Sequence, residues 1–221
     1  MAVQRPHTHP PDVPMTDRRS AVAAARCVVI KVGTRVLTDD TGRRVPAHLS
    51  AIAEAAADLH AAGRDVLLVS SGAIGLGAET LGLARIPTEA DERQACAAVG
   101  QSRLVALWQQ ALAERGVIGA QLLLTEGDFA ARDRYLNLRA ALQALLRRRV
   151  VPIINENDAI STDELALIGG PRPVFGDNDR LSALVAAKLD ADLLVLLTDV
   201  AGVFDRDPRG DPDARLLHRV D

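Results

Sequence analysis

Four polar clusters in this chain carry side chains that could do chemistry: Lys31-Val-Gly-Thr, Ser70-Ser-Gly, Asn155-Glu-Asn-Asp and Thr198-Asp199. Lysine, serine beside glycine, asparagine beside aspartate, and threonine beside aspartate are residue types that a phosphoryl-transfer site draws on. That reaction is catalysed mainly by positioning and charge stabilisation, through lysine, the amides of glycine loops and Mg2+. Lys31 stands out against the rest of the chain. Among the 26 lysines and arginines only Lys31 and Lys188 are lysine. Where arginine is the habit, a lysine followed two residues later by Gly33 asks for a chemical reason. The bland alternative is a solvated strand end.

The other clusters also have plain readings. In SSGAIGLG the glycines fall at 72, 75 and 77, which is not the GxGxxG dinucleotide order, and no GxxxxGK[ST] phosphate loop occurs. That loop alone is compatible with simple turn chemistry. Asn155, Asn157 and Asp158 are compatible with a turn after a strand, and Asp177-Asn178-Asp179 with a helix N-cap. Two carboxylates within three residues at a helix start also suit a site that holds cations or an ammonium group. Arg147, Arg148 and Arg149 read as a helix end, Asp190 and Asp192 as surface, and Leu104 and Trp108 as core. His48, His60 and His218 lack ligand spacing.

The elements that must position these groups follow from periodicity. Cys27–Val32 (CVVIKV) is a buried strand ending in a tight loop. Leu49, Ile52, Ala56 and Leu59 recur at helical spacing, and Gly63 closes that segment. Residues 65–69 (DVLLV) form a second strand. Helical stretches are expected over 89–98, 101–115, 135–148 and 181–188, and further strands over 120–124, 150–154 and 193–197. Apolar runs separated by helices, rather than strict alternation, are the mark of a parallel sheet covered on both faces. The expected architecture is α/β, a three-layer α/β/α sandwich with a mostly parallel central sheet. In such sheets ligands bind at the carboxyl ends of the strands, where all four polar clusters fall. Residues 165–175 (LALIGGPRPVF) read as an excursion over the site.

Composition narrows the function classes. The 221 residues are 48% hydrophobic and 25% charged, enough for one sizeable core. A net charge of −3, a pI near 6.0 and 2% aromatics argue against nucleic acid as a partner. Cys27 and Cys96 form no metal motif, so a cytoplasmic location is expected. No run approaches the roughly 20 apolar residues of a membrane helix, so no membrane partner is expected. Residues 1–25 are read as a flexible N-terminal tail.

Taken together, VVIKVGTRVLT, SSGAIGLG, AAVGQSRL, LLLT, VVPIINENDAI, FGDNDRLSALVA and LLLTDVAGVFDRDPR resemble, in order, segments of the glutamate 5-kinases, within the amino acid kinase superfamily. The resemblance covers residues 28–220. INENDAI followed by FGDND is its specific part. Relatives acting on aspartate, N-acetylglutamate, carbamate or UMP share the lysine-glycine strand end and the TD strand but not this pair. The resemblance implies ATP-dependent phosphorylation of the γ-carboxylate of L-glutamate, with Mg2+, proline as feedback inhibitor and a homo-oligomer.

It also implies roles. Lys31 would contact the transferring phosphoryl group, and Gly33 would give close backbone approach. Ser71 and Gly72 would lie beside glutamate and phosphate. Asp158 and Asn178 would bind glutamate, supported by Asn155 and Asp177. Asp179 would orient the catalytic lysines, and Thr198 and Asp199 would line the nucleotide site. No protein residue is assigned to metal. The physics is compatible: two anions must be screened from each other before one attacks the other, and lysine with Mg2+ supplies that screening.

Two departures accompany the resemblance. The chain stops at Asp221, before the family's glycine-rich segment and second lysine, so residues 26–221 are expected to form the kinase domain without its C-terminal part. The segment 165–175 is longer than is usual before FGDND. Two rival readings stay open. One is the kinase half of a bifunctional pyrroline-5-carboxylate synthase, and the other is a non-catalytic fragment that binds glutamate or proline.

Overall fold

Continuous apolar strands have to be covered on both faces, and the chain covers them with helices. The computed structural model describes residues 15–38, 45–125, 127–160, 177–208 and 210–217. In chain order its elements are α1 (Met15–Ala24), β1 (Cys27–Val32), a 3-10 turn (Thr34–Leu37), α2 (Pro46–Ala61), β2 (Asp65–Ser70), α3 (Ala73–Thr80), α4 (Ala90–Ala113) and β3 (Ile118–Leu124). There follow α5 (Gly127–Ala130), α6 (Arg132–Arg147), β4 (Val150–Glu156), α7 (Asp177–Lys188), β5 (Leu193–Leu197), and a short antiparallel pair, β6 (Val203–Phe204) and β7 (Leu216–Leu217). The five main strands lie in the order β3-β4-β2-β1-β5, and every neighbouring pair is parallel.

Alternation along each strand sorts its side chains between two cores. Val28, Ile30 and Val32 face one way with Val66 and Leu68, packing against residues of α2, α3 and α4 such as Ala53, Leu76 and Trp108. Val29, Leu67, Val69 and Ile154 face the other way, against Phe129 of α5, Leu138 and Leu142 of α6, and Leu181 and Val185 of α7. This is the three-layer sandwich expected from the apolar runs. Trp108, expected in the core, is fully buried, and its indole N–H donates to the equally buried Ser70 Oγ at 2.8 Å.

Several expectations need correction. The separate helices expected over 89–98 and 101–115 are one continuous helix, α4. Gly100 does not interrupt it. A methyl group there would overlap the carbonyl oxygen of Ala73, and one at Gly77 would overlap that of Cys96. The two glycines are required by the close crossing of α3 over α4. The tail expected over 1–25 contains α1, after which Ala25 is buried in the core. Arg64 Nη2 donates to the Ala23 carbonyl at 2.8 Å.

Asp192 is not merely a surface group. Its carboxylate accepts the backbone N–H of Arg26 and Cys27, each at 2.8 Å, and these bonds lower its pKa below the ordinary carboxylate value. It thereby ties the entry of β5 to the entry of β1. Arg149, expected to complement the end of its own helix, has φ of +57° and reaches across to α2, donating to the carbonyls of His60 and Arg64. Lys188 lies with its ammonium 5.3 Å from the centroid of the Tyr135 ring. The expected excursion 165–175 lies outside the described residues.

The helix crossing generates a stability prediction. Gly100→Ala should lower unfolding free energy by more than about 2 kcal/mol, because the clash is with main chain and no rotamer change relieves it. Urea denaturation followed by circular dichroism measures this. An unchanged midpoint would mean that α3 and α4 separate at little cost.

Candidate active site

The carboxyl ends of four adjacent strands, β4, β2, β1 and β5, share one edge of the sheet. Lys31 is level with Val69 and Leu196, and Val69 with Ile154, so the polar residues that follow each strand emerge at nearly the same height. The main chain ties these ends together: Gly33 N–H donates to the Leu197 carbonyl at 3.3 Å, and Ser71 N–H to the Val32 carbonyl at 3.1 Å. Lys31 follows Val29 on the face covered by α7. There its ammonium meets Asp179 Oδ1 at 2.6 Å, with side-chain exposures of 12% and 29%. Asp179 stands third in α7, where the positive end of the helix macrodipole favours a carboxylate. A Cβ on Gly33 would lie 3.3 Å from Lys31 Nζ and 3.5 Å from the Leu197 carbonyl oxygen, so a side chain would crowd the ammonium. Gly72, with φ of +109°, turns the chain from β2 into α3, a conformation suited to glycine.

Beside this pair runs a chain of amides. Asn178 Nδ2 donates to Ser71 Oγ at 2.8 Å and to Asn155 Oδ1 at 3.0 Å. Asn155 Nδ2 donates in turn to Gln101 Oε1 at 2.6 Å. Asn155 is 1% and Gln101 7% exposed. Asn178 Oδ1 is buried and has no hydrogen-bond partner among the described residues. An orphaned buried carbonyl is uncommon and marks a place where a ligand donor would be stabilised. Gln101 was missed by the sequence reading. Its one signal was a glutamine set in the apolar face formed by Ala97, Leu104, Val105 and Trp108 of α4.

Of the expected site residues, Lys31, Gly33, Ser71, Gly72, Asn155, Asn178 and Asp179 come together. Asp177 opens α7. Asp158 lines a cavity of about 210 Å3 with Gln101, Ser102, Gln121 and Glu156. That cavity touches the amide chain through Gln101. Thr198 and Asp199 follow β5, and Asp199 Oδ2 pairs with Arg35 Nη1 at 3.3 Å, a contact the sequence did not signal. A larger cavity of about 790 Å3 opens beside Ser71 and Gly72, lined by the 3-10 turn, Pro46, α3, the loop after it and α4. Among the described residues no group of three or more His, Cys, Asp or Glu side chains could hold a metal ion. No described helix is long and apolar enough to cross a membrane.

The family "Amino acid kinase family" matches residues 26–221. The chain belongs to the amino acid kinase family. Its relatives include "Glutamate 5-kinase" of Myxococcus xanthus, 50% identical over 204 residues, covering 91% of this chain and 51% of the relative. "Glutamate 5-kinase" of Chromohalobacter salexigens is 50% identical over 200 residues, covering 90% of this chain and 50% of the relative. "Glutamate 5-kinase" of Methanosarcina acetivorans is 47% identical over 210 residues, covering 92% and 53%. The chain spans about half the length of these curated relatives.

In this amino acid kinase family member, the half-buried pair of Lys31 and Asp179 has unequal partners. Asp179 keeps the helix dipole when Lys31 is removed, whereas Lys31 has no second ion pair among the described residues when Asp179 is removed. Asp179→Ala should therefore destabilise the chain by about 1–2 kcal/mol more than Lys31→Met, a value between exposed and fully buried pairs. Chemical denaturation of both variants checks this. Equal losses would show that the dipole contributes nothing at this position.

Proposed function

We propose that this chain provides the glutamate-binding and part of the phosphate-binding machinery of an ATP-dependent kinase. It acts on the γ-carboxylate of L-glutamate to give L-glutamyl 5-phosphate, the first step of proline biosynthesis. The observation that carries this reading is the convergence at one sheet edge of the Lys31–Asp179 pair and the Ser71–Asn178–Asn155 chain. Similarity to relatives named glutamate 5-kinase supports the choice of acid.

In this reading a γ-carboxylate oxygen forms a bond to the terminal phosphorus of ATP as the bond to the bridging oxygen breaks, and ADP leaves. Lys31 holds positive charge where two anions must approach, and Asp179 fixes the lysine's position. Gly33, having no Cβ, leaves the ammonium accessible to a phosphate oxygen. Asn178 Oδ1, buried and unpartnered among the described residues, accepts from the α-ammonium of glutamate, with Ser71 and Asn155 holding the asparagine. Asp158 binds glutamate together with Asn178, and Asn155 and Asp177 support them. Thr198 and Asp199 border the nucleotide at β5. Mg2+, carried by the nucleotide phosphates rather than by a protein cage, would neutralise charge on the transferring group. Proline inhibition, a homo-oligomer and a cytoplasmic location belong to the same proposal.

Hydroxylamine trapping of the acyl phosphate tests it, using the 221-residue chain with Mg-ATP and L-glutamate, L-aspartate or N-acetylglutamate. The expected result is hydroxamate from glutamate alone, falling by roughly 100-fold or more in Lys31→Met, as removal of one electrostatic stabiliser does elsewhere. Hydroxamate from another acid, or no calorimetric binding of glutamate, would overturn the substrate assignment. Binding without hydroxamate would keep that assignment and withdraw catalysis by this chain alone.

A further inference from the structure

We infer that Gln101 is a positioning residue that fixes the polarity of the amide chain, and so makes Asn178 present a carbonyl rather than an NH2 group to its ligand. A primary amide has a donor end and an acceptor end, so amides in series must all point the same way. Here every amide donates toward α4: Asn178 to Asn155, and Asn155 to Gln101. Both hydrogens of Asn178 Nδ2 are used, one on Ser71 Oγ and one on Asn155 Oδ1. What remains is Asn178 Oδ1, buried and without a partner among the described residues. Reversal of the series would exchange that acceptor for a donor.

Nothing within Asn155 or Asn178 chooses between the two directions, because an amide turned end for end has the same shape. The choice is made at Gln101. Its Oε1 accepts from Asn155, which leaves its NH2 end for the small cavity that Gln101 lines together with Glu156 and Asp158. A cavity bordered by two carboxylates favours a donor over a carbonyl. The carboxylates thus set Gln101, Gln101 sets Asn155, and Asn155 sets Asn178. The inference rests on the proposed glutamate site for the identity of the ligand. An exposed carbonyl accepts from the α-ammonium of an amino acid, whereas an exposed NH2 group would prefer its carboxylate.

The test is calorimetry on the full chain with L-glutamate, with glutarate (which lacks the ammonium) and with Mg-ATP, comparing wild type, Gln101→Met and Gln101→Glu. Methionine fills similar space but offers no acceptor of this strength. In Gln101→Glu a carboxyl protonated beside the two carboxylates donates its hydroxyl toward the cavity and keeps its carbonyl as the acceptor for Asn155, so it preserves the polarity. Gln101→Met should weaken L-glutamate about ten-fold, the scale expected for one lost buried hydrogen bond. Its glutarate and Mg-ATP affinities should stay within about two-fold, and Gln101→Glu should bind L-glutamate within about three-fold of wild type. An unchanged L-glutamate affinity in Gln101→Met, or equal losses for glutamate and glutarate, overturns the inference. If wild type binds no L-glutamate, the functional reading fails by itself, and NMR of the unliganded chain decides the inference. Side-chain amide protons of Asn155 and Asn178 should then exchange with solvent markedly faster in Gln101→Met, and unchanged rates overturn it.

Discussion

Where α3 crosses α4, main chain lies against main chain: Gly77 faces the Cys96 carbonyl, and Gly100 faces that of Ala73. A close approach of this kind fixes two helices far more tightly than interdigitating side chains do, because main chain has no rotamers through which to yield. Both ends of the site hang from this crossing. Helix α3 begins at Ala73, directly after Ser71 and Gly72, and Gln101 is the residue after Gly100. The separation between the serine that receives Asn178 and the glutamine that receives Asn155 is therefore set by two hydrogen atoms where methyl groups would otherwise stand. Trp108, two turns further along α4, adds a second tie by donating to Ser70, which precedes Ser71.

The sheet was legible because burial on both faces leaves an unmistakable trace. CVVIKV, DVLLV, VVPII and LLVLL cannot alternate between core and water, so each implies helices above and below. The strand-end clusters were legible for the converse reason, since a polar residue at the end of such a run has left the layers that bury it. The helices expected over 89–98 and 101–115 proved to be one, because a glycine placed for close contact and one that ends a helix are the same letter. Only the partner helix tells them apart. Asp192 and Arg149 were underrated because their partners lie 165 and 89 residues away for Cys27 and His60 respectively, and no local pattern encodes such pairs.

The site was legible as a collection of residues but not as a geometry. Lys31 and Asp179 are far apart in sequence, and their contact depends on which face of β1 carries the lysine. Alternation from Val29 decides that, and the face is the one covered by α7. Asp158 follows the INEN run in sequence, and the turn after β4 places it on a cavity that Gln101 of α4 also lines. Gln101 could be found only from its place in the apolar face of α4, since motif chemistry says nothing of a single glutamine in a helix.

The preference for arginine has a further consequence. Apart from the amino terminus, the chain holds two primary amines: one within 2.6 Å of Asp179 in the crevice, the other above the Tyr135 ring on the outer side of α7 and α6. Guanidinium groups elsewhere supply positive charge but do not react as amines at neutral pH. To an amine-directed reagent the protein is therefore almost featureless, with one internal reference at Lys188 and one reporter at Lys31. Acylation read by mass spectrometry becomes a direct gauge of occupancy in the crevice, corrected within the same molecule by a lysine that no ligand there would cover.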